Sequence, residues 1–423
     1  MKVVMSGGLA LIEVNMYQLA ALGVVAYYLG VWARSRFSAL VRFSIPAPVI
    51  GGLPFALLVA ALEHKGLAKF SFDGTIQTIL MLVFFCTIGM NASVSLVKKG
   101  TLLILAFSLV SVAGAVLQNI IGLAVASVFS IDPRLGIIGG SVTLTGGLGT
   151  AGAFGPVFES MGVKGAAAAG VACATFGMIA GSLVGGPMAE FLIRSKKLKT
   201  PQDSDYVPSE NFAAEAEDED ESLLPKELMS NLAWVIFAVG VGSALSYYVG
   251  EFFRSIGSKQ TFPPYLGAMF VAIFIRNTGE ISGIYKVESK VINAISDIAL
   301  SIFISMAIVS MKLAELIHLA LPLVCMMFVQ LAFVLLMAYF MVYLLFGRDY
   351  EASVLSAGFI GFMMGATSNA LVSMQAVTSK YGYAAKAYFV VPIVGAFLVD
   401  VPNAFLINYM GSAEWLLRVF GLN

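Results

Sequence analysis

Two stretches rich in glycine, threonine and serine interrupt an otherwise apolar chain. In the first, residues 141–154, Gly146, Gly147 and Gly149 stand among threonines, and residues 358–370 have a similar composition. Glycines weaken a helix, and backbone that leaves the helix inside hydrocarbon has unpaired N–H and C=O groups, at several kcal/mol each. Such stretches are tolerated inside protein or beside a water-filled cavity. Two of them, at corresponding places in two halves of a chain, indicate the binding site of a secondary transporter.

The helix starts expected beside these interruptions would attract an anion. An open helix N-terminus carries roughly half a positive charge and presents free N–H groups. Thr150, Thr367 and Ser368 are the best candidates for hydroxyl contacts, followed by Asn369. The alternative is that small residues only let helices pack closely, but the pairing of the two clusters favours function. The predicted substrate-binding residues are Thr145, Gly146, Gly147, Gly149, Thr150, Gly365, Ala366, Thr367, Ser368, Asn369, Asp400 and Asn403.

Asp400 is a carboxylate in the last long apolar segment, beside the helix-breaking Pro402. A charge at membrane depth is costly unless it is paired, so it marks an ion or substrate path by default. It could hold an ammonium group, bind Na⁺ or carry a proton; the alternative is an interfacial aspartate in contact with water. Asn403 shares its helix face at i+3.

Carbonyl groups freed by helix breaks suit a hard cation such as Na⁺. Gln118 and Asn119 are adjacent amides in hydrocarbon, which either bond between helices or line the site. Another possible helix break, at residues 87–91, ends the third segment. Asp297 stands at the start of the corresponding segment in the second half. No cofactor is expected. The candidate Na⁺ ligands are Thr87, Asn91, Gln118, Asn119 and Asp400.

The composition is that of a polytopic membrane protein. The 423 residues are 59% hydrophobic and 12% charged, against about 25% charged in an average soluble domain. Many apolar runs reach or approach the roughly 20 residues that cross a bilayer as a helix. The formal net charge of zero gives no general attraction to nucleic acid.

The chain divides into two sets of six apolar segments. A charged, solvated linker, residues 194–227, separates an N-terminal repeat, residues 1–193, from a C-terminal repeat, residues 228–423. The segments lie at about 15–33, 45–62, 75–91, 101–129, 133–155, 165–193, 229–250, 263–279, 291–311, 317–346, 352–377 and 384–410.

The charge pattern favours an inverted topology. If residues 133–155 and 352–377 are re-entrant hairpins, each half has five transmembrane helices and the halves are oppositely oriented. With both termini outside and the linker cytoplasmic, most of the 25 Lys and Arg residues lie inside, among them Lys98 and Lys99, as the positive-inside rule requires. The predicted fold is therefore all-α, with two inverted repeats. No Arg lies clearly within a span.

Several motifs resemble those of bacterial sodium/glutamate symporters, and the likeness runs through about residues 15–410. They are FFCTIGMNA at 84–92, QN at 118–119, DPRLG at 132–136, TGGLGT at 145–150, ACATFG at 172–177, GAT at 365–367, MQA at 374–376 and VVPIVGAFLVD at 390–400. The resemblance implies Na⁺-driven uptake of L-glutamate through the bacterial inner membrane. It also implies crossed re-entrant hairpins, an architecture similar to the citrate/sodium symporters, and a homodimer with an elevator-like moving core. Family members often have His where this chain has Leu148, and Pro-Thr where Ser368 and Asn369 stand.

Three classes of function compete for this sequence. A symporter of Na⁺ and glutamate is the leading prediction; coupling to H⁺, or transport of another amino acid or of a di- or tricarboxylate, is the alternative. A membrane-embedded enzyme would need a catalytic pair at depth, which the sequence does not offer. A channel would show neither saturation nor stoichiometric coupling.

Overall fold

The computed structural model describes residues 2–6, 9–42, 45–94, 102–202, 225–256 and 262–421. Most of the central linker, including its acidic run at 215–221, and Lys98 and Lys99 lie outside these residues. The described chain is nearly all helical, which confirms the predicted class.

The helices of the first half follow the predicted segments closely. Their order is α1 (Met16–Arg36), α2 (Ser38–Arg42), α3 (Ala47–His64), α4 (Thr75–Asn91), α5 (Leu102–Val128), α6 (Pro133–Ile137), a π-helical turn (Ile138–Val142), α7 (Gly147–Ser160) and α8 (Ala166–Lys196).

The second half also consists of long helices and of shorter helices joined by turns. It comprises α9 (Pro225–Ser255), α10 (Pro264–Ser282), α11 (Ser289–Val309), a 3₁₀ turn (Leu313–Leu319), α12 (Ala320–Met337) with a π-helical end (Ala338–Tyr343), α13 (Tyr350–Met363), α14 (Thr367–Tyr381), α15 (Ala385–Ile393), a π-helical turn (Val394–Leu398), α16 (Asp400–Ser412) and α17 (Glu414–Val419).

Within the described residues, seven helices are long and apolar enough to cross a bilayer. They are α1, α3, α5, α8, α9, α11 and α12 together with its π-helical end. α4, with 17 residues, is shorter but equally apolar. The chain is thus a multi-pass membrane protein.

A small β-sheet departs from the all-α prediction. β1 (Lys2–Ser6) pairs antiparallel with β2 (Leu9–Val14), which pairs in parallel with β3 (Ala68–Phe72). The sheet joins the start of the chain to the connection between α3 and α4, where the Phe70 N–H also donates to Glu63 Oε1 at 3.1 Å. These short strands sit at the ends of spans, where hydropathy read over a helix-length window does not resolve them.

Both glycine-rich stretches form pairs of helices joined by a break. α6 and the π-helical turn lead through residues 143–146 into α7, and α13 leads through residues 364–366 into α14. The first helix of each pair has an aspartate N-cap. Asp132 Oδ1 accepts the Arg134 N–H at 2.8 Å, and Asp349 Oδ1 accepts the Ala352 N–H at 2.8 Å. Each broken segment thus begins with an aspartate-capped helix.

The helices pack in two groups. One contains α1, α3, α4, α9, α10 and α11; the other contains both broken pairs together with α5, α8, α12, α15 and α16. Contacts between the groups run mainly along α4, α7 and α11. The broken segments thus belong to one packed unit that rests against another.

Candidate functional site

A cavity of about 590 Å³ lies where the two breaks meet. Its wall includes residues 145–149 from the first break and 365–369 from the second, so both glycine-rich stretches contribute to one site. It extends to the connection between α1 and α3, at Arg34 and Pro46. Its volume is suited to a small organic solute.

The tips of the two breaks are in direct contact. Gly147 has φ +65°, a left-handed conformation that favours glycine. A Cβ added there would overlap the carbonyl oxygen of Gly365. Glycine at 147 therefore satisfies both the backbone turn and the close approach of the second tip.

Two helices begin at this contact. α7 starts at Gly147 and α14 at Thr367, and the capping residues Gly146 and Ala366 provide no side-chain hydrogen bond to the first turn. The first N–H groups of each helix therefore remain available beside the cavity, where they would attract an anion.

Two carboxylates face the same space. Asp400 begins α16, directly after the π-helical turn, and is partly buried. Within the described residues, no ion pair or side-chain hydrogen bond reaches its carboxylate. Asp297 of α11 is exposed to the cavity, next to Ser301. These groups are suited to a cation or an ammonium group.

Arg34 also lines the cavity, although it is not among the predicted site residues. It belongs to the last turn of α1, and its buried Nε has no hydrogen-bond partner among the described residues. A guanidinium binds a carboxylate with paired, charge-assisted hydrogen bonds. From sequence alone, Arg34 looks like a loop residue; its role depends on how α1 packs against α3.

Most of the predicted substrate residues are part of the cavity wall. They are Thr145, Gly146, Gly147, Gly149, Gly365, Ala366, Thr367, Ser368, Asn369 and Asp400, and Leu148 lies among them. Two are set back: Thr150 is buried behind Gly146, and Asn403 is buried one turn beyond Asp400.

The predicted cation ligands do not form one cluster. Thr87 Oγ1 donates to the Phe84 carbonyl in its own helix at 2.7 Å, and the Asn91 amide donates to Asn293 at 2.9 Å. Asn119 lies elsewhere, beside Ser141. Within the described residues, no group of three or more His, Cys, Asp or Glu could hold a metal ion.

Gln118 connects the two broken segments. Its Oε1 accepts the Thr145 hydroxyl at 2.6 Å, and its Nε2 donates to the Met363 carbonyl at 2.9 Å. Gln330 of α12 donates in turn to the Gln118 carbonyl at 2.6 Å. This buried amide therefore holds the first tip against the end of α13.

A second cavity, of about 400 Å³, lies at the opposite end of α3. Its wall includes Glu63, Glu159 and Lys312. α7 runs from one cavity to the other, with Gly149 in the first wall and Gly152 in the second. The ring of Phe84 packs against Gly149 and that of Phe303 against Gly152, so aromatic packing separates the cavities.

Comparisons with known proteins agree with these features. A sequence model of the family described as Sodium/glutamate symporter matches residues 12–383. The chain is 36% identical over 375 residues to a sodium/glutamate symporter of Escherichia coli, covering 88% of this chain and 91% of that protein. It is 34% identical over 393 residues to one of Haemophilus influenzae, covering 93% and 96%.

Proposed function

Because this chain belongs to the sodium/glutamate symporter family, we propose that it carries L-glutamate with Na⁺ through the cavity between its two broken segments. It is a symporter and not an enzyme. The observation that carries this assignment of the site is the meeting of two helix starts, Arg34 and Asp400 around one cavity.

The charges of this cavity complement those of an amino-dicarboxylate. The free N–H groups at Gly147 and Thr367 receive the α-carboxylate. Asp400 receives the ammonium group, and Arg34 receives the side-chain carboxylate with paired hydrogen bonds. A plain dicarboxylate would leave Asp400 facing an anion, which disfavours it as the substrate.

Transport proceeds by alternating access. The unit that holds both breaks carries Asp400 and the tips, whereas Arg34 and Asp297 belong to the other helix group. Movement of the unit that holds both breaks toward the second cavity would carry the solute past Phe84 and Phe303 and away from Arg34. The two cavities at opposite ends of α3 support this elevator-like motion.

The topology belongs to the same proposal. The repeats are inverted, both termini lie outside, the linker is cytoplasmic, and the cavity at Arg34 opens to the cytoplasm of a bacterial inner membrane. The matched caps Asp132 and Asp349 support the repeat, and the positive-inside rule supports the orientation. The protein assembles as a homodimer, as the family resemblance implies.

Uptake of radiolabelled L-glutamate into proteoliposomes tests the function. We expect saturable accumulation with an imposed Na⁺ gradient, and none when K⁺ or choline replaces Na⁺. Counterflow, in which internal unlabelled glutamate accelerates entry of label, separates a carrier from a channel. Uptake that follows a proton gradient without Na⁺, or accumulation of a dicarboxylate but not of glutamate, would contradict the proposal.

Arg34→Gln is expected to raise the KM for L-glutamate about 10- to 100-fold, with a smaller effect on maximal rate. A hydrogen bond to a charged group contributes roughly 1.5–3 kcal/mol, and Arg34 Nε has no partner to lose within the described residues. The measurement is the concentration dependence of initial uptake.

Arg36→Gln is the matched control, since Arg36 is exposed in the same last turn of α1. Glutamine as competitor sharpens the test: the variant should lose most of the preference for L-glutamate over L-glutamine. An unchanged KM and an unchanged preference would remove Arg34 from the site.

A further inference from the structure

The first broken segment contains a distortion behind the cavity wall. Gly140, inside the π-helical turn, has φ −101° and ψ −130°, which is not helical. Asn119 of α5 lies against it: a Cβ on Gly140 would lie 2.6 Å from Asn119 Oδ1. Asn119 Oδ1 also accepts the Ser141 N–H at 2.8 Å. The backbone carbonyls here stay paired: that of Gly140 accepts the Leu144 N–H at 3.1 Å, and that of Ser141 accepts the Gly146 N–H at 2.9 Å.

Within the part of the chain that the structure describes, two buried oxygens at this distortion have no hydrogen-bond partner. They are Ser141 Oγ, on a residue that is 0% exposed, and Asn403 Oδ1, on a residue that is 2% exposed. The two residues touch, because Asn403 Nδ2 donates to the Ser141 carbonyl at 3.1 Å. This donation fixes the amide orientation, so the carbonyl end of Asn403 is the free one.

Unpaired buried oxygens carry a desolvation penalty, and most buried polar groups in proteins avoid it. Here the two come from different parts of the chain, the π-helical turn and α16, on residues that a hydrogen bond joins. A serine hydroxyl and an amide carbonyl are ligands that a hard cation prefers. Neither Ser141 nor Asn403 brings a charge, which favours a monovalent over a divalent ion.

We propose that Ser141 Oγ and Asn403 Oδ1 bind a monovalent hard cation, and that this cation is the coupling Na⁺. The inference rests on the proposed symport function. It assigns Asn403, predicted as a substrate-binding residue, to the cation site instead. Asn119 then holds the distorted backbone in position.

The position of this site explains how cation and substrate binding are coupled. Asn403 lies one turn after Asp400 on α16, and Ser141 is five residues before the tip of the first break. A cation bound between them fixes α16 against the first broken segment, so that Asp400 and the α7 start face each other across the cavity. Because binding energies are reciprocal, the substrate would tighten cation binding by the same factor.

Ser141→Ala is the test, read in two ways on the full-length protein. The Na⁺ concentration for half-maximal glutamate uptake is expected to rise at least tenfold. In detergent without glutamate, NaCl should raise the thermal unfolding midpoint of the wild type above its value in choline chloride, and the variant should need at least tenfold more NaCl for the same shift. If the alanine variant is unstable, Ser141→Cys can replace it in both measurements. Cysteine has nearly the size of serine, but its sulfur is a poor ligand for a hard cation, so the same change in Na⁺ dependence is expected.

Ser111→Ala is the matched control, because Ser111 is also buried but its hydroxyl donates to the Phe107 carbonyl of its own helix at 2.7 Å. It should keep the wild-type Na⁺ dependence. At saturating Na⁺ the KM of Ser141→Ala for glutamate should approach that of the wild type.

Two results would overturn this site. One is a wild-type Na⁺ titration for both Ser141 variants, which would mean that water satisfies these oxygens. The other is a KM for glutamate that stays high at saturating Na⁺, which would mean a substrate contact. A wild-type protein whose uptake ignores Na⁺ would instead refute the symport function itself.

Discussion

Gly147→Ala is expected to lower Na⁺-driven glutamate uptake about 100-fold or more. The left-handed backbone at Gly147 costs an ordinary residue roughly 1–2 kcal/mol. The added methyl group would also meet the Gly365 carbonyl and force the two tips apart. Since both helix starts must face one solute, a displacement of about 1 Å at the tip is of the size that costs a catalytic or binding site about 100-fold. Initial uptake rates in proteoliposomes measure the effect.

Gly283→Ala provides the control for backbone strain. Gly283 has φ +66°, nearly the same as Gly147, but a Cβ there would meet nothing within 4 Å. Both variants should lose similar stability from the backbone, measured by thermal unfolding, whereas transport should be lost in Gly147→Ala alone. Equal uptake by the two variants would show that contact between the tips is not needed for transport.

The sequence predicted the broken segments because their composition conflicts with their surroundings. Glycine and threonine inside hydrocarbon have few structural uses, and a break at Gly146 and Gly147 lies inside the predicted stretch. The same conflict marked Asp400, whose charge is costly at depth. Local chemistry was enough in both cases, and the structure brings these residues to one cavity.

Arg34 and the surroundings of Ser141 could not be found in this way. A cationic residue at the end of a span is ordinary, and only the packing of α1 beside the connection to α3 turns Arg34 toward the cavity. Likewise, Ser141 and Asn403 are 262 residues apart, and the hydrogen bond between them is a tertiary contact. Periodicity and composition contain no information on such pairs. The third strand shows the same limit, since β3 pairs with β2 although α1 and α3 separate them in the chain.

Asp400→Asn is expected to reduce Na⁺-driven uptake by about 30- to 5,000-fold. Truncating one partner of a desolvated charge pair, here the Asp400 carboxylate and the substrate ammonium group, costs roughly 2–5 kcal/mol. Within the described residues, no basic side chain of the protein is paired with Asp400. Asparagine keeps the shape and one acceptor oxygen, so α16 should still start at this position. Asp297→Asn is the comparison: Asp297 faces the same cavity but is exposed, and its loss should cost less than tenfold.

Counterflow without any ion gradient separates the possible roles of this carboxylate. If Asp400 binds the substrate ammonium group, Asp400→Asn loses counterflow as well as driven uptake, because the solute no longer binds. If Asp400 instead carries a proton that drives transport, the variant retains exchange of internal for external glutamate and loses accumulation. Uptake at the wild-type rate, with its Na⁺ dependence intact, would contradict both roles. The two helix starts and Arg34 would then remain as the groups that bind the substrate carboxylates, and Asp297 would be the next candidate to bind the ammonium group.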